Sequence, residues 1–324
     1  MRQLVTGGAG FIGSNYVRWV LDHTDDEVTV YDALTYAGNL ATLEDVAARA
    51  GTRYRFVHAD ICDPQALAAA VAGHDVVVHF AAESHVDRSI SGPAGFVVTN
   101  CVGTNSVMQV CLAAGVERVV HISTDEVYGS VESGWSTEDD VLDPRSPYSA
   151  SKAGSDLIAR SYFSTYQLPV LITRSSNNFG PWQFPEKAIP LWVTNLLDGA
   201  TAPLYGDGAN RRDWLYVADN CTAIDAVLRH GRPGEIYNIG GSNEVANRDL
   251  LGRLVELLGV EPDRIAPVPD RLGHDRRYAV DTTKVRGLGW APERAFDEAL
   301  AETVAWYRDN RWWWGPLKAP ALSV

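Results

Sequence analysis

Cysteine is scarce in this sequence. Its four cysteines (Cys62, Cys101, Cys111 and Cys221) form no Cys-x-x-Cys pair. That argues against a disulfide framework and for reduced thiols in a cytoplasmic protein. Positive charge is also short: 28 Lys and Arg face 41 Asp and Glu, for a net charge of −13. Bulk charge would therefore repel nucleic acid and anionic membranes, and neither is expected as a partner. No apolar run approaches the ~18 residues of a membrane-spanning helix. The first residues enter a strand pattern at once, so no signal peptide is expected. The histidines show no His-x-x-His or His-Glu-x-x-His spacing, and no metal is expected. Internal repeats and low-complexity segments are missing too. What is present is an ordinary globular composition over 324 residues, enough for one large or two modest cores.

Short apolar runs over 4–6, 28–32, 54–58, 75–80, 118–123 and 170–173 read as strands. Helical periodicity lies between them, over 11–21, 64–71, 95–114 and 146–166, with Asp63 as an N-cap ahead of Pro64. This alternation predicts an α/β fold, a doubly wound parallel Rossmann-type sheet with right-handed crossovers. After residue 178 prolines and glycines break the rhythm, which predicts a smaller, mixed C-terminal lobe. The expected division is a cofactor domain over 1–177 and a substrate lobe over 178–324. A helix over 219–230 and a strand over 235–239 would return the chain to the main sheet by about 213–240. The aromatic tail, Arg311-Trp312-Trp313-Trp314, is expected to dock on the C-terminal helix rather than bind a ligand.

Gly7-x-x-Gly10-x-x-Gly13 follows the first strand and opens the first helix, through Phe11 and Ile12. In that context the glycines form a dinucleotide fingerprint. They permit the tight turn, the approach of a pyrophosphate and close helix–strand packing, and the helix N-terminus supplies free N–H groups. Asp32 ends the second strand, where a carboxylate would bond a ribose 2′-hydroxyl and repel a 2′-phosphate. No Arg follows it closely, so NAD is favoured over NADP. Asp60 and Ile61 would lie near the adenine. Ala81, Ala82 and Ser84 would pass the nicotinamide side, because ligands sit beyond the carboxyl ends of parallel strands. The plainer alternative is a set of glycines that only shape a turn.

Of the 13 tyrosines, only Tyr148 has a lysine four residues on, Lys152. That spacing puts both on one helix face. A phenol with a pKa near ~10 is a poor base at neutral pH, and a neighbouring ammonium would favour the phenolate. Ser123-Thr124-Asp125-Glu126 ends the fifth strand with hydroxyls and two adjacent carboxylates. Thr124 could hold the hydroxyl that Tyr148 deprotonates. Taken alone, a Tyr on a helix is more often core, and an Asp-Glu pair more often a solvated turn.

These residues together resemble the extended short-chain dehydrogenase/reductase family. Within it, Ser123–Gly129, Phe80–Ser89, Asn177–Pro181, Pro185-Glu186-Lys187, Tyr205–Gly208 and Gly273–Tyr278 are similar to the dTDP-glucose 4,6-dehydratases. The resemblance spans essentially the whole chain. It implies tightly held NAD, a dTDP-sugar substrate, and a reaction in three steps. Hydride leaves C4 with Tyr148 as base. Glu126 then takes the C5 proton while Asp125 protonates the departing C6 hydroxyl, and hydride finally returns to C6. It also implies Thr99 and Asn177 against the cofactor. Ser84, Thr124, Asn177, Lys187, Pro203, Tyr205, Arg212, Asn247, Arg271, His274 and Tyr278 would line the nucleotide-sugar site, Arg212 and Arg271 facing the diphosphate. The helices over 95–114 and 146–166 would pair into a four-helix homodimer interface. Phe179 and Trp182 depart from the family's usual Tyr, and Ala188 from its usual Leu, which could reshape the pocket near the nucleotide. Competing readings are a UDP-sugar 4-epimerase or decarboxylase, or a non-catalytic NAD-binding protein. One physical requirement follows. Adjacent side chains of a strand point to opposite faces, so the backbone must turn at or after Thr124 if both carboxylates reach one sugar.

Overall fold

The structure is a computed structural model that describes residues 1–318; the final residues of the expected C-terminal lobe, 319–324, lie outside the described ones. The chain opens with β1 (Arg2–Thr6), α1 (Phe11–His23), β2 (Glu27–Asp32), α2 (Glu44–Ala50), β3 (Tyr54–His58), α3 (Pro64–Val71) and β4 (Val76–His79). It continues through α4 (Val86–Ser91), α5 (Pro93–Val97), a π-helical turn at Val98–Gly103, α6 (Thr104–Ala114), β5 (Arg118–Thr124), α7 (Pro147–Tyr166) and β6 (Val170–Ser175). The remainder is β7 (Asn177–Phe179), α8 (Ala188–Leu197), β8 (Ala202–Tyr205), β9 (Arg211–Tyr216), α9 (Val217–His230), β10 (Ile236–Ile239), β11 (Glu244–Ala246) and α10 (Asn247–Leu258). Last come β12 (Ile265–Val268), α11 (Thr283–Arg286), α12 (Phe296–Asp309) and α13 (Arg311–Lys318).

Seven parallel strands form the main sheet in the order β10-β6-β5-β4-β1-β2-β3. The strand order reverses between β1 and β4, which opens a crevice beyond their carboxyl ends. The central strands are buried throughout, β4 being Val-Val-Val-His, as a sheet covered on both faces requires. The chain returns to this sheet at β10. Two small sheets, β11-β9-β7 and β12-β8, belong to the smaller mixed lobe.

Several elements follow from local chemistry. Asp63 caps α3, accepting from the Gln65 and Ala66 N–H groups. Ser146 and Ser149 form a reciprocal capping box ahead of Tyr148. The tail docks as expected: Trp313 and Trp314 are buried, and their indoles donate to Thr42 and to the Tyr307 carbonyl.

Three expectations need correction. The helix expected over 95–114 begins at Pro93 and is broken by the π turn. As one 22-residue stretch, Pro93–Ala114 is long and apolar enough to cross a membrane by length and composition alone, a test that the core helix of a soluble protein also passes. The sequence reading overlooked it because Asn100, Thr99 and Asn105 interrupt the apolar run without adding charge. Phe179 and Trp182 do not line the cleft. Phe179 packs on Trp214, Tyr216 and Phe296 in the lobe's core, and Trp182 packs on Trp306 and Trp313.

Candidate active site

The crevice is a cleft of about 320 Å³ that runs from the glycine loop past the ends of β2, β4, β5 and β6. Gly7 (φ +70°) turns the chain sharply out of β1, and a Cβ there would lie 2.7 Å from Ala81 Cα. A Cβ on Gly13 would run into the Gly7 carbonyl oxygen. No side chain caps α1, so the first amides of the helix, from Phe11 on, face the cleft without a side-chain partner. That is the cradle an anionic pyrophosphate needs. Asp32 is buried, and its two oxygens accept from the Ala9 and Leu34 N–H groups at 2.9 and 2.8 Å. Each oxygen keeps a second acceptor site, so a ribose hydroxyl can still be bound.

Every residue expected against the cofactor lines this one cleft: Gly7, Gly10, Phe11, Ile12, Gly13, Asp32, Asp60, Ile61, Ala81, Ala82, Ser84, Thr99, Tyr148, Lys152 and Asn177. Thr99 is turned in by the π segment, a feature that often marks functional positions. Within the same segment is a residue the sequence reading missed. Buried Asn100 accepts from Glu83 N–H at 2.8 Å and donates to the Glu83 carbonyl and to Ser151 Oγ. It thereby fixes the loop after β4 against α7. The available signal was a polar amide inside an apolar helix. Buried oxygens of Asp125, Asn177 and Asn178 have no hydrogen-bond partner, and all three residues line the cleft. A polar ligand would satisfy them. The residues present therefore fit a dinucleotide.

At the far end, β5 stops at Thr124. Thr124 is still extended (φ −142°, ψ 152°), and a 3₁₀ turn over Asp125–Tyr128 follows directly. The required bend is present where the carboxylates begin. The Thr124 hydroxyl accepts from Glu126 N–H and faces Asp125 Oδ1, each at 3.3 Å. Asp125, Glu126, Thr124, Tyr148 and Lys152 all line the cleft.

Electrostatics separates the carboxyls. Burial, then Glu126, then Asp213 push Asp125 well above the usual carboxylate range. Burial also raises Glu126, but Arg271, Arg212 and Lys187 oppose it. Both carboxyls are thus shifted toward the protonated form, Asp125 further than its neighbour, a separation an acid/base pair can use. Tyr148 differs from expectation. Burial and Glu126 push its phenol well above 10, and Thr124 opposes them less. Burial lowers Lys152 to about 8, and its Nζ donates to the Ile122 carbonyl at 2.7 Å. Desolvation dominates, and it favours the phenol form of Tyr148.

Of the expected substrate residues, Ser84, Thr124, Asn177 and Lys187 line the cleft, with Lys187 Nζ on the Ser84 carbonyl. A second group continues the site beyond Glu126. The Arg212 guanidinium lies 4.2 Å over the Tyr278 ring, Arg271 faces the Tyr205 ring at 6.0 Å, and Tyr205 meets His274 edge-on. Arg212 has two donors committed to the Arg211 and Asp275 carbonyls. Arg271 is 3.6 Å from Asp87. Pro203, in β8, and Asn247, at the start of α10, lie outside the cleft lining.

A relative from Streptomyces antibioticus named dTDP-glucose 4,6-dehydratase is 54% identical over 98% of this chain and 96% of its own length. The chain belongs to the dTDP-glucose 4,6-dehydratase family. A family model described as GDP-mannose 4,6 dehydratase also matches residues 4–303. DesIV of Streptomyces venezuelae, a dTDP-glucose 4,6-dehydratase solved with NAD and dTDP bound, is 57% identical. It superposes with a TM-score of 0.95 over 98% of this chain and 100% of its own. The UDP-glucuronic acid 4-epimerase of Bacillus cereus, 25% identical, shares the fold at a TM-score of 0.90 over 95% of this chain and 99% of its own. The fold alone therefore does not separate dehydratases from epimerases; the residues at the end of β5 must.

Proposed function

We propose that this chain removes water from dTDP-glucose, giving dTDP-4-keto-6-deoxyglucose, with NAD restored in each turnover. The observation that carries the reading is the bent Asp125–Glu126 pair, with its two buried carboxyls shifted upward to different extents beside Tyr148 in one cleft. When bound, NAD supplies a hydride acceptor for C4 and a hydride donor for C6.

The cofactor half is residues 1–177, joined again by about 213–240, and residues 178–324 hold the nucleotide-sugar lobe. Gly7, Gly10 and Gly13, with the first amides of α1, cradle the pyrophosphate, while Asp32 bonds the ribose and Asp60 and Ile61 flank the adenine. Ala81, Ala82, Ser84, Thr99 and Asn177 surround the nicotinamide half. Tyr148 takes the C4 hydroxyl proton as a phenolate, a form that the positive charges of Lys152 and of a bound nicotinamide ring would favour over the phenol, and Thr124 orients that hydroxyl. Glu126 takes the C5 proton, which the C4 ketone has acidified, and gives a proton back to C5 when C6 is reduced. Asp125 gives its proton to the C6 hydroxyl, which leaves as water. Arg212 and Arg271 meet the diphosphate, so an anionic substrate binds despite the net charge of −13. Lys187, Pro203, Tyr205, Asn247, His274 and Tyr278 complete the nucleotide-sugar site.

Val97, Val98, Val102 and Leu157 are each at least half exposed on neighbouring helices. Together they form the face for a homodimer built on a four-helix bundle.

Product mass with dTDP-glucose tests the activity. Loss of one water supports dehydration; an unchanged mass means epimerisation, and loss of CO₂ from a uronic acid substrate means decarboxylation. No turnover with any sugar nucleotide leaves only a binding protein. In Glu126→Gln, C4 oxidation is expected to continue and reduced nicotinamide absorbance to build up while product formation stops. Unchanged product formation would sink the assignment.

A further inference from the structure

Local bonds hold the turn that carries Asp125 and Glu126 only loosely. Thr124 Oγ1 accepts from Glu126 N–H at 3.3 Å, and Gly129 N–H reaches the Glu126 carbonyl at 3.3 Å. Both are at or beyond the long end of the normal range. Asp143 N–H to the Val127 carbonyl is 3.1 Å. A second set of contacts at the end of the turn is much tighter. Tyr128 is buried, and its hydroxyl donates to Asn238 Oδ1 at 2.7 Å and accepts from Arg174 Nη1 at 2.8 Å. Arg174, also buried, donates from Nε to Asp156 Oδ2 at 2.9 Å. Asp156 lies one helical turn beyond Lys152 on α7. Arg174 itself pairs in register with Ser123, beside the end of β5.

We propose that Tyr128 and Arg174 are positioning residues for the elimination step. They form a buried clamp that fixes the turn carrying the two carboxylates to the helix carrying Tyr148 and Lys152. Neither residue lines the cleft. The clamp also reaches the other lobe. Asn238 Nδ2 donates to the Ser136 carbonyl at 3.0 Å, and Ser136 exchanges backbone hydrogen bonds with Ala279 and Asp281. That segment directly follows Tyr278. The phenol hydroxyl therefore joins the catalytic turn to the β6–α7 side of the sheet and, through Asn238 and Ser136, to the segment after Tyr278. A guanidinium fork suits this place because two of its N–H groups serve two partners at a fixed angle.

The inference rests on the dehydratase reading. Its predicted signature is a split between the two halves of the reaction. Oxidation at C4 uses Tyr148, Thr124 and Lys152, on β5 and α7, which sheet pairing and the Lys152–Ile122 bond still hold when the clamp hydroxyl is removed. Elimination uses Asp125 and Glu126, which it does. Tyr128→Phe keeps the ring over Arg174 and the Arg174–Asp156 pair and removes only the hydroxyl. It is expected to lower kcat by about 10- to 100-fold, the cost of a small misplacement of reacting groups. KM should stay within about twofold, since nothing that touches substrate is removed. Reduced nicotinamide should accumulate in the steady state, as oxidation outruns elimination.

The experiment is steady-state kinetics with the cofactor spectrum recorded during turnover, on the intact holoenzyme, for wild type, Tyr128→Phe and Arg174→Lys. Thermal melts report whether each variant is folded. Wild-type release of the 4-keto-6-deoxy product checks the underlying reading independently. Accumulated reduced cofactor in Tyr128→Phe supports the clamp. Wild-type kcat without accumulation overturns it. A fall in kcat with no reduced cofactor overturns it too, because oxidation would then be the damaged step. Arg174→Lys, if folded, is expected to show the same accumulation, since a lysine cannot serve both partners.

Discussion

Lys152 donates from Nζ to the Ile122 carbonyl at 2.7 Å, which ties α7 to β5 two residues before Thr124. The ammonium that makes this bond is buried, and burial lowers it from 10.5 to about 8. The folded state thus binds this proton less tightly than the unfolded chain does.

Stability should therefore rise with pH across the window from about 8 to 10.5 as far as Lys152 is concerned. Lys152→Met should remove that slope. The burial cost is ~3 kcal/mol by the size of the shift, and losing the bond to Ile122 costs ~1–2 kcal/mol. The cost of burying the charge wins, so the cofactor-free variant should be more stable than the parent at neutral pH by ~1–2 kcal/mol, and inactive. Denaturant titrations at neutral pH and at pH 10 check both the sign and the slope.

Asp125→Asn should behave as a frozen copy of the protonated acid. Burial and Glu126 hold Asp125 well above the usual range. Its contribution to stability is thus complete below the unfolded carboxylate pKa and is lost as pH rises toward the raised folded value. Asparagine removes that loss, so the variant should melt no lower than the parent at neutral pH, with its advantage growing as pH rises. Turnover should fall by ~10²–10⁴, the usual worth of a general acid. A marked drop in melting temperature would mean that the carboxyl is ionised in the folded state.

Gly13→Ala should lose cofactor before it loses its fold. The new Cβ runs into the Gly7 carbonyl and lies 2.9 Å from Gly8 Cα, both backbone atoms that cannot rotate away. The loop must shift, and the first amides of α1 shift with it. Nucleotide retained through gel filtration measures the effect, with far-ultraviolet circular dichroism as the check on folding. Full retention would mean that the loop does not set the pyrophosphate site.

Leu157→Glu tests the self-association face. The side chain is 58% exposed on α7, so a charge there costs the isolated subunit little. Placed in an apolar helix–helix interface, it would be buried without a partner. Sedimentation should show a dimer for the parent and monomer for the variant, with melting of the variant made independent of concentration. A dimeric variant would move the interface elsewhere.

Much of the cofactor half was legible because its signals are local. The glycine spacing, the Asp63 cap and the Tyr148/Lys152 spacing depend on backbone geometry within a turn or two. Phe179 and Trp182 were misread because aromatic identity does not say which neighbours surround a ring; the lobe's core claims both. The membrane-length helix escaped because polar, uncharged residues break the continuous apolar run, while Val, Leu, Cys and Phe around them keep the stretch apolar on average. Asn100 was missed because its partners, Glu83 and Ser151, are brought to it only by packing α5 and α6 against α7.

The sequence by itself determined which groups are present and where the backbone must bend. Two adjacent carboxylates cannot face one ligand from an extended strand, so a turn after Thr124 was required by stereochemistry alone. Tertiary structure decided the ionisation of those groups, because burial acts on them through the whole surrounding protein. Asp213 reaches Asp125 from β9, and Arg212, Arg271 and Lys187 reach Glu126 from the other lobe. Desolvation around Tyr148 likewise outweighs the opposing hydrogen bond from Thr124. Spacing along the chain sets which residues can meet; the dielectric and the distant charges that packing brings to them set which one gives a proton and which one takes it.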